Sequence, residues 1–354
     1  MYKCFLVVLS FCFFIGIAYA ENDTTVSLFD EEVDTATKEK KENFLSFMNF
    51  EVSDKIFSSS KDNKETHATI EDTIKLANRG NLQAQLSLGY GYLYGEGGLP
   101  IDYNKSFEYY TKAAQQNDPV GLNNLASLYY GGLGVKRDVK KAAALFKKAS
   151  ELGNGSASVN IGFMHASGKG AKKDIVLALD YFEKSLTENS PAAKFMLGYA
   201  YYKGLHREIN YIKAANLLKE SADAGFDEAQ TLVADIYIKG LGFPQNYNKG
   251  VMYLHKAVTQ GDANAMVKLA DILVEGRKYN RDVEYAYVLY NLASVKGVSS
   301  AVQKRNSIED KMKVNEVLGA QKKSEAFKEE LSSITSYIRQ TYGEKIVSYF
   351  YLKE

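Results

Sequence analysis

The sequence predicts an all-α protein, a right-handed α-solenoid of stacked helix–turn–helix units. Three observations predict it. Glycines recur at Gly95, Gly132, Gly168, Gly204, Gly240 and Gly276, spaced by 37 residues and then by 36 four times. Short polar acceptors keep the same beat at Asp102, Asp138, Asp174, Asn210, Asn246 and Asp282. A third set holds only Gly and Asn: Gly80, Asn117, Gly153, Asn189, Gly225, Gly261 and Gly297. Position classes in phase over six units mark a repeat architecture with one supersecondary element per unit.

Each class has a physical task. The Gly/Asn class tolerates the left-handed conformation that ends a helix. A new helix starts a residue or two later, and Asp118-Pro119 and Ser190-Pro191 show an N-cap followed by proline at the first helical position. The Asp/Asn class falls just before the second helix of each unit, where a short acceptor caps free backbone N–H groups. The central glycines end the first helix.

Apolar spacing fits this frame. Leu122, Leu125, Ala126 and Tyr129 share one helical stripe, and Ala142, Leu145, Phe146 and Ala149 another. Small residues recur at Gly89, Ala126, Gly162, Gly198, Ala234 and Ala270, and again at Ala113, Ala149, Ser185, Ser221, Ala257 and Ala293, which lets neighbouring helices approach closely. Aromatics fill what remains, at Tyr92, Tyr129, Tyr201 and Tyr237. One hairpin cannot bury both faces, so the units stack.

The small residue, the Tyr, the loop Gly, the Asp, the Ala and the closing Gly resemble the Sel1-like repeat family, itself similar to tetratricopeptide repeats. The pattern reads LASLYYGGLGVKRDVKKAAALFKKASELG from Leu125 to Gly153, and the resemblance covers about 70–297. It implies a non-enzymatic adaptor that assembles other proteins; for exported bacterial members it implies envelope assembly or host-cell interaction in virulence. The units are expected to form one solenoid, six repeats plus an N-terminal half unit, over 68–297. The fourth unit lacks the second loop glycine (Gly204 to Asn210) and the sixth departs at Gly276 to Asp282, so these loops are expected to differ locally.

After Gly297 the repeat fails. Ala301 to Met312 reads as a last repeat-type helix, and Asn315 as the cap of a longer one. Val317, Ala320, Ser324, Phe327, Leu331, Ile334 and Ile338 step by three and four along it, a heptad seam. The region 298–354 is therefore read as capping helices on the open end of the solenoid, or as a coiled coil giving self-association through 315–338.

At the other end, Lys3 is the only charge before Glu21, and an apolar run leads to Ala18-Tyr19-Ala20. This is the pattern of a secretory signal peptide over 1–20, cleaved after Ala20. The run is too short to cross a ~30 Å bilayer comfortably. Both cysteines, Cys4 and Cys12, lie in it, so the mature chain is expected to have neither disulfide nor thiol nucleophile. Without Lys3, Lys+Arg falls from 44 to 43, equal to the Asp+Glu of 43. Such a balance leaves no electrostatic footprint for nucleic acid or an anionic membrane. An acidic, polar linker follows over 21–67, with an aromatic patch at 44–57.

The residues show no catalytic constellation. His67, His165, His206 and His255 form no metal-ligand pair. His165 sits where sister units have Tyr and reads as a packed aromatic. Ser58 and Lys61 make a Ser-x-x-Lys string, but in a polar linker that would not hold a nucleophile and base in register. No cofactor or metal is expected. The expected partners are envelope, outer-membrane or host proteins, with membrane association only through them, and the expected location is the periplasm, the outer membrane or cell surface, or the medium. The reading from another class is an enzyme acting on the cell wall, or a regulator of one.

The candidate binding face is the position just after the small residue of each first helix, about 100° round from the packed stripe. It reads Tyr90, Ser127, Phe163, Tyr199, Asp235 and Asp271, an aromatic end and an acidic end. Tyr90, Phe163, Tyr199, Asp235 and Asp271 are the candidate partner-binding residues, suited to a peptide carrying apolar and basic groups. The competing reading packs the aromatics on neighbouring loops.

Overall fold

The computed structural model describes residues 69–351, apart from 189 and 344. The 1–20 segment with its cleavage site, the 21–67 linker with its 44–57 patch, the 58–61 string and His67 lie outside the described residues. Among the described residues every regular element is a helix. Helix α1 (Ile70–Asn78) precedes six hairpins: α2/α3 (Leu82–Tyr94, Tyr103–Gln115), α4/α5 (Pro119–Gly131, Val139–Glu151), α6/α7 (Gly155–Ser167, Ile175–Lys184), α8/α9 (Pro191–Lys203, Tyr211–Asp223), α10/α11 (Asp227–Lys239, Tyr247–Thr259) and α12/α13 (Ala263–Glu275, Val283–Val295). Then come α14 (Ser299–Glu309), α15 (Val314–Glu325), α16 (Ser333–Tyr342) and a short 3-10 helix, Ile346–Phe350. The helices of each hairpin pack on each other, and each second helix packs on the first helix of the next unit.

The periodic residues build these joints. Each central glycine, Gly95 through Gly276, caps a first helix in the left-handed conformation. Each Asp or Asn of the second class caps a second helix, its side-chain oxygen accepting from the N–H three residues on, as Asp138 does from Lys141 at 2.9 Å. Each such cap is worth about 1 kcal/mol. The residue donating to the cap is often a lysine, and its ammonium then lies over the first-helix tyrosine: Lys105 over Tyr92, Lys141 over Tyr129, Lys213 over Tyr201, Lys249 over Tyr237. The third unit has Leu177 there and His165 for the tyrosine; that ring stacks on Tyr181 at 5.6 Å.

The small positions are required by contact. A Cβ on Gly89 would meet the Tyr110 ring at 2.8 Å, and one on Gly162 the Phe182 ring at 2.7 Å. Loop glycines lock one unit to the next: a Cβ on Gly134 would fall 2.1 Å from the carbonyl oxygen of Tyr103, and one on Gly242 equally near that of Tyr211. The fourth unit keeps this left-handed turn without glycine, since His206 adopts φ 53° at the matching place. The sixth-unit loop has no left-handed residue there, so only it departs as expected.

The C-terminal region corrects the expectation. The single helix expected from Asn315 through Ile338 is two helices. The first starts after Lys313, whose N–H donates to Glu316, and ends at Glu325. Residues 326–332 leave the helix because the solenoid offers them other partners. The Glu330 N–H donates to the Thr259 carbonyl and the Ser332 N–H to Gln260 Oε1, each at 2.9 Å, while Glu329 pairs with Lys296. The heptad seam is thereby dispersed: Ala320, Ser324 and Ile338 are buried in this chain, and Leu331 is exposed. It offers no continuous stripe for self-association through 315–338. Helix α15 instead packs on α13, the last helix of the repeats.

Candidate protein-binding face

The ladder positions meet different surroundings. Tyr90 is half-buried; its ring lies 4.6 Å from that of Tyr94 and its hydroxyl donates to Glu96 at 3.4 Å. Burial, then the Glu96 carboxylate, raises the Tyr90 phenol. Ser127 is buried and donates to the Asn123 carbonyl one turn back. Phe163 and Tyr199 are also buried, but not by neighbouring loops. Phe163 stacks on Tyr342 with centroids 3.6 Å apart and meets the edge of Tyr349 at 6.3 Å. The Tyr199 hydroxyl hydrogen-bonds that of Tyr351 at 2.9 Å, and its ring lies 5.5 Å from Phe350. Phe163 and Tyr199 are thus covered by the chain's own C-terminal segment, whereas Tyr90 lies against Tyr94 and Glu96 of its own unit.

The acidic end is internally paired. Asp235 binds Lys268 at 2.8 Å, and Asp271 binds Lys304 at 2.6 Å and accepts from the Tyr290 hydroxyl. Each lysine comes from the next first-type helix along the stack, so these carboxylates join units. The acidic end expected to meet a basic partner is therefore neutralised by this chain's lysines.

A different acidic group lies on the path of the C-terminal segment. Asp227 and Glu228 open α10, and Asp262 caps α12. Carboxylates at a helix N-terminus are favoured by the helix dipole. Asp227, fully buried, pairs with Arg339 of α16, and its backbone N–H donates to the Thr335 hydroxyl. Asp262 accepts from the Thr231 hydroxyl and the Ala265 N–H. Burial, then the charges of Asp227 and Asp262, push the Glu228 carboxyl up to about 8. Burial raises Asp227 as well, with Arg339 opposing.

The sequence carried a sign of this group. At the start of the fifth unit Phe226 stands where sister units have Asn154, Ser190 or Asp262 as helix cap, and two acids follow it. The Arg339 that answers them lies over a hundred residues further on, so no local pattern linked the two. Among the described residues no cluster of His, Cys, Asp and Glu could hold a metal ion, and no helix is long and apolar enough to cross a membrane.

The Sel1 repeat model matches six times in succession, over 82–118, 119–154, 155–190, 191–226, 227–262 and 263–297. The chain belongs to the Sel1 repeat family. This is a non-catalytic repeat fold whose members generally act as protein-interaction scaffolds. Among solved structures, the chain is similar to c5321, a protective antigen present in uropathogenic Escherichia coli strains, with 27% identity and a TM-score of 0.60. That match covers 75% of this chain and 58% of the antigen, so the chain spans under two thirds of the antigen's length. A Sel1 repeat protein from Oxalobacter formigenes matches with 26% identity and a TM-score of 0.47, over 71% of this chain and all of that one. The immunity protein Pa5087 from Pseudomonas aeruginosa matches with 22% identity and a TM-score of 0.31, over 58% of this chain and 81% of its own. No curated protein matches the chain.

Proposed function

We propose that this Sel1 repeat protein is an exported, non-enzymatic scaffold that binds other proteins at the bacterial envelope or surface. One observation carries the binding role: the ladder face receives a polypeptide segment, with Phe163 and Tyr199 each engaging aromatic side chains from outside the repeats. A face that accepts one such segment has the shape and chemistry to accept another, and buried aromatic anchors dominate interfaces of this kind. Export is supported by the signal-peptide pattern of residues 1–20. A setting in envelope assembly or host contact is supported by the similarity to a protective antigen of uropathogenic bacteria.

Two measurements test this in the native host. Sequencing the N-terminus of the exported protein is expected to give Glu21 as its first residue; retention of Met1 would defeat the export reading. Cross-linking of intact envelopes, followed by mass identification, is expected to join the solenoid to a specific protein. Recovery of the chain free of protein partners, with a cell-wall bond cleaved on incubation, would replace the scaffold with an enzyme.

A further inference from the structure

The last described residues of the chain run back along the solenoid, from its sixth unit towards its third. Ser332 hydrogen-bonds Gly225 and Gln260, Thr335 bonds Gly225, and Arg339 pairs with Asp227. Tyr342 and Tyr349 then reach Phe163, and Phe350 and Tyr351 reach Tyr199. The contacts are those of a bound peptide: one salt bridge, a few polar bonds to the ends of helices, and aromatic rings laid on aromatic rings.

Two features set this segment apart from the repeats. Fewer of its side chains are fully buried: α16 fully buries only Thr335 and Ile338 and the 3-10 helix only Ile346, with Ile334, Tyr337, Tyr342, Tyr349 and Phe350 partly buried against the core, whereas a first helix such as α4 buries nine residues. A helix of ten residues is not stable alone, so the segment is ordered by the face it lies on. Weakly buried elements of this kind open locally at lower cost than the core. Its fit is also incomplete. Among the described residues no hydrogen-bond donor reaches the buried Glu228 Oε1. Beside the Phe163–Tyr342 stack, a cavity of about 40 Å³ is lined by Tyr130, Asn160 and Phe163 on the repeats and by Thr341, Tyr342 and Tyr349 of the segment.

We propose that the face of units three to five is a peptide-binding groove which the chain keeps filled with its own residues 332–351, and that the partner it fits is a protein segment of the same chemistry: a basic side chain for Asp227 and Glu228, with aromatic side chains beyond it for Phe163 and Tyr199. This rests on the scaffold reading and adds to it the chemistry of the partner and the competitor it must displace. A partner with a second donor satisfies Glu228 where the resident segment leaves it unmet. Displacement costs the partner the intramolecular advantage of a tethered segment, equivalent to roughly millimolar competitor.

The test uses the full chain and a fluorescent synthetic peptide with the sequence of residues 332–354. The wild-type chain is expected to bind it weakly, because its own segment occupies the groove. Arg339→Glu, which loosens the resident segment and leaves the groove unaltered, is expected to bind the peptide at least about tenfold more tightly. Adding Asp227→Asn to that variant should remove the gain. A folded Arg339→Glu chain that binds no better than wild type overturns the proposal, as does a stable wild-type dimer that exchanges these segments. Should Arg339→Glu fail to fold, amide hydrogen exchange on the wild type decides: faster exchange in α16 than in α8 to α11 supports the proposal, and exchange of α16 only on global unfolding overturns it. If wild type and Arg339→Glu capture the same envelope protein equally well, the scaffold reading stands and this one falls.

Discussion

Replacing Glu228 by Gln probes the electrostatics beneath the C-terminal segment. The carboxyl is pushed from an ordinary 4.5 up to about 8, first by burial and then by Asp227 and Asp262, with Lys345 and Arg339 opposing. Between these values the folded chain holds a proton that the unfolded chain releases, so stability is highest below the window and falls as pH rises through it. The shift, 8 minus 4.5 or about 3.5 units, corresponds to about 5 kcal/mol at full weight. Relaxation of the face leaves on the order of 2–3 kcal/mol of it above the window. Glutamine keeps the shape, removes the charge and adds a donor beside Asp227. The variant is expected to match wild type near about pH 5 and to melt roughly 4–8 °C higher near about pH 9. His255 works in the opposite sense, since burial lowers its imidazole and disfavours folding in acid. It is common to both proteins, so the difference between their melting curves isolates Glu228. Melting followed by circular dichroism across the range gives that difference; parallel curves would refute the argument.

Two further pairs of substitutions contrast a close contact with an open or half-buried site. Gly242→Ala sets a Cβ 2.1 Å from the Tyr211 carbonyl oxygen at φ 82°, whereas Gly153→Ala at φ 90° meets nothing within 4 Å. Chemical denaturation is expected to show a loss of roughly 3 kcal/mol or more for the first and about 1–2 kcal/mol for the second. Phe163→Ala removes a ring packed against Phe182 and Tyr342, which costs about 3–5 kcal/mol. Tyr90→Ala, in a half-buried site, should cost about 1 kcal/mol, so it alone of the two separates binding from folding. Equal denaturation midpoints for the two variants would contradict the burial assigned to Phe163.

Much of the repeat was readable because its signals are local. A capping Asp, a left-handed Gly and a small residue at a helix crossing each act within one or two units, and repetition over six units raised them above chance. Asn117 illustrates this: its place in the Gly series foretold a left-handed residue, and its φ is 57°. The C-terminal region was less readable because its conformation is decided at long range. Nothing between Ala326 and Ser332 breaks a helix by itself, and the three-four spacing of apolar residues runs straight through. The helix stops because the turn at Thr259 and Gln260 supplies the hydrogen bonds that another helical turn would have supplied. The ladder shows the same division. Periodicity located its positions, but the cover on Phe163 comes from Tyr342, and the lysines on Asp235 and Asp271 come from neighbouring units, where sequence spacing alone does not join them.

The joints at Gly134 and Gly242 have a consequence for the length of the array. The loops of the second, third and fifth units each sit against the first residue of the preceding unit's second helix, at Tyr103, Val139 and Tyr211, so the same socket recurs along the stack. Gain or loss of one whole unit in frame would leave all such joints closed, and the stack tolerates growth like a chain of identical couplings. The C-terminal segment has no such freedom. It is anchored at Gln260 and Asp227 and must still bring Tyr342 to Phe163 and Tyr351 to Tyr199. It acts as a gauge that matches one particular count of units between the third and the sixth, and it fixes the length of that part of an otherwise extensible array.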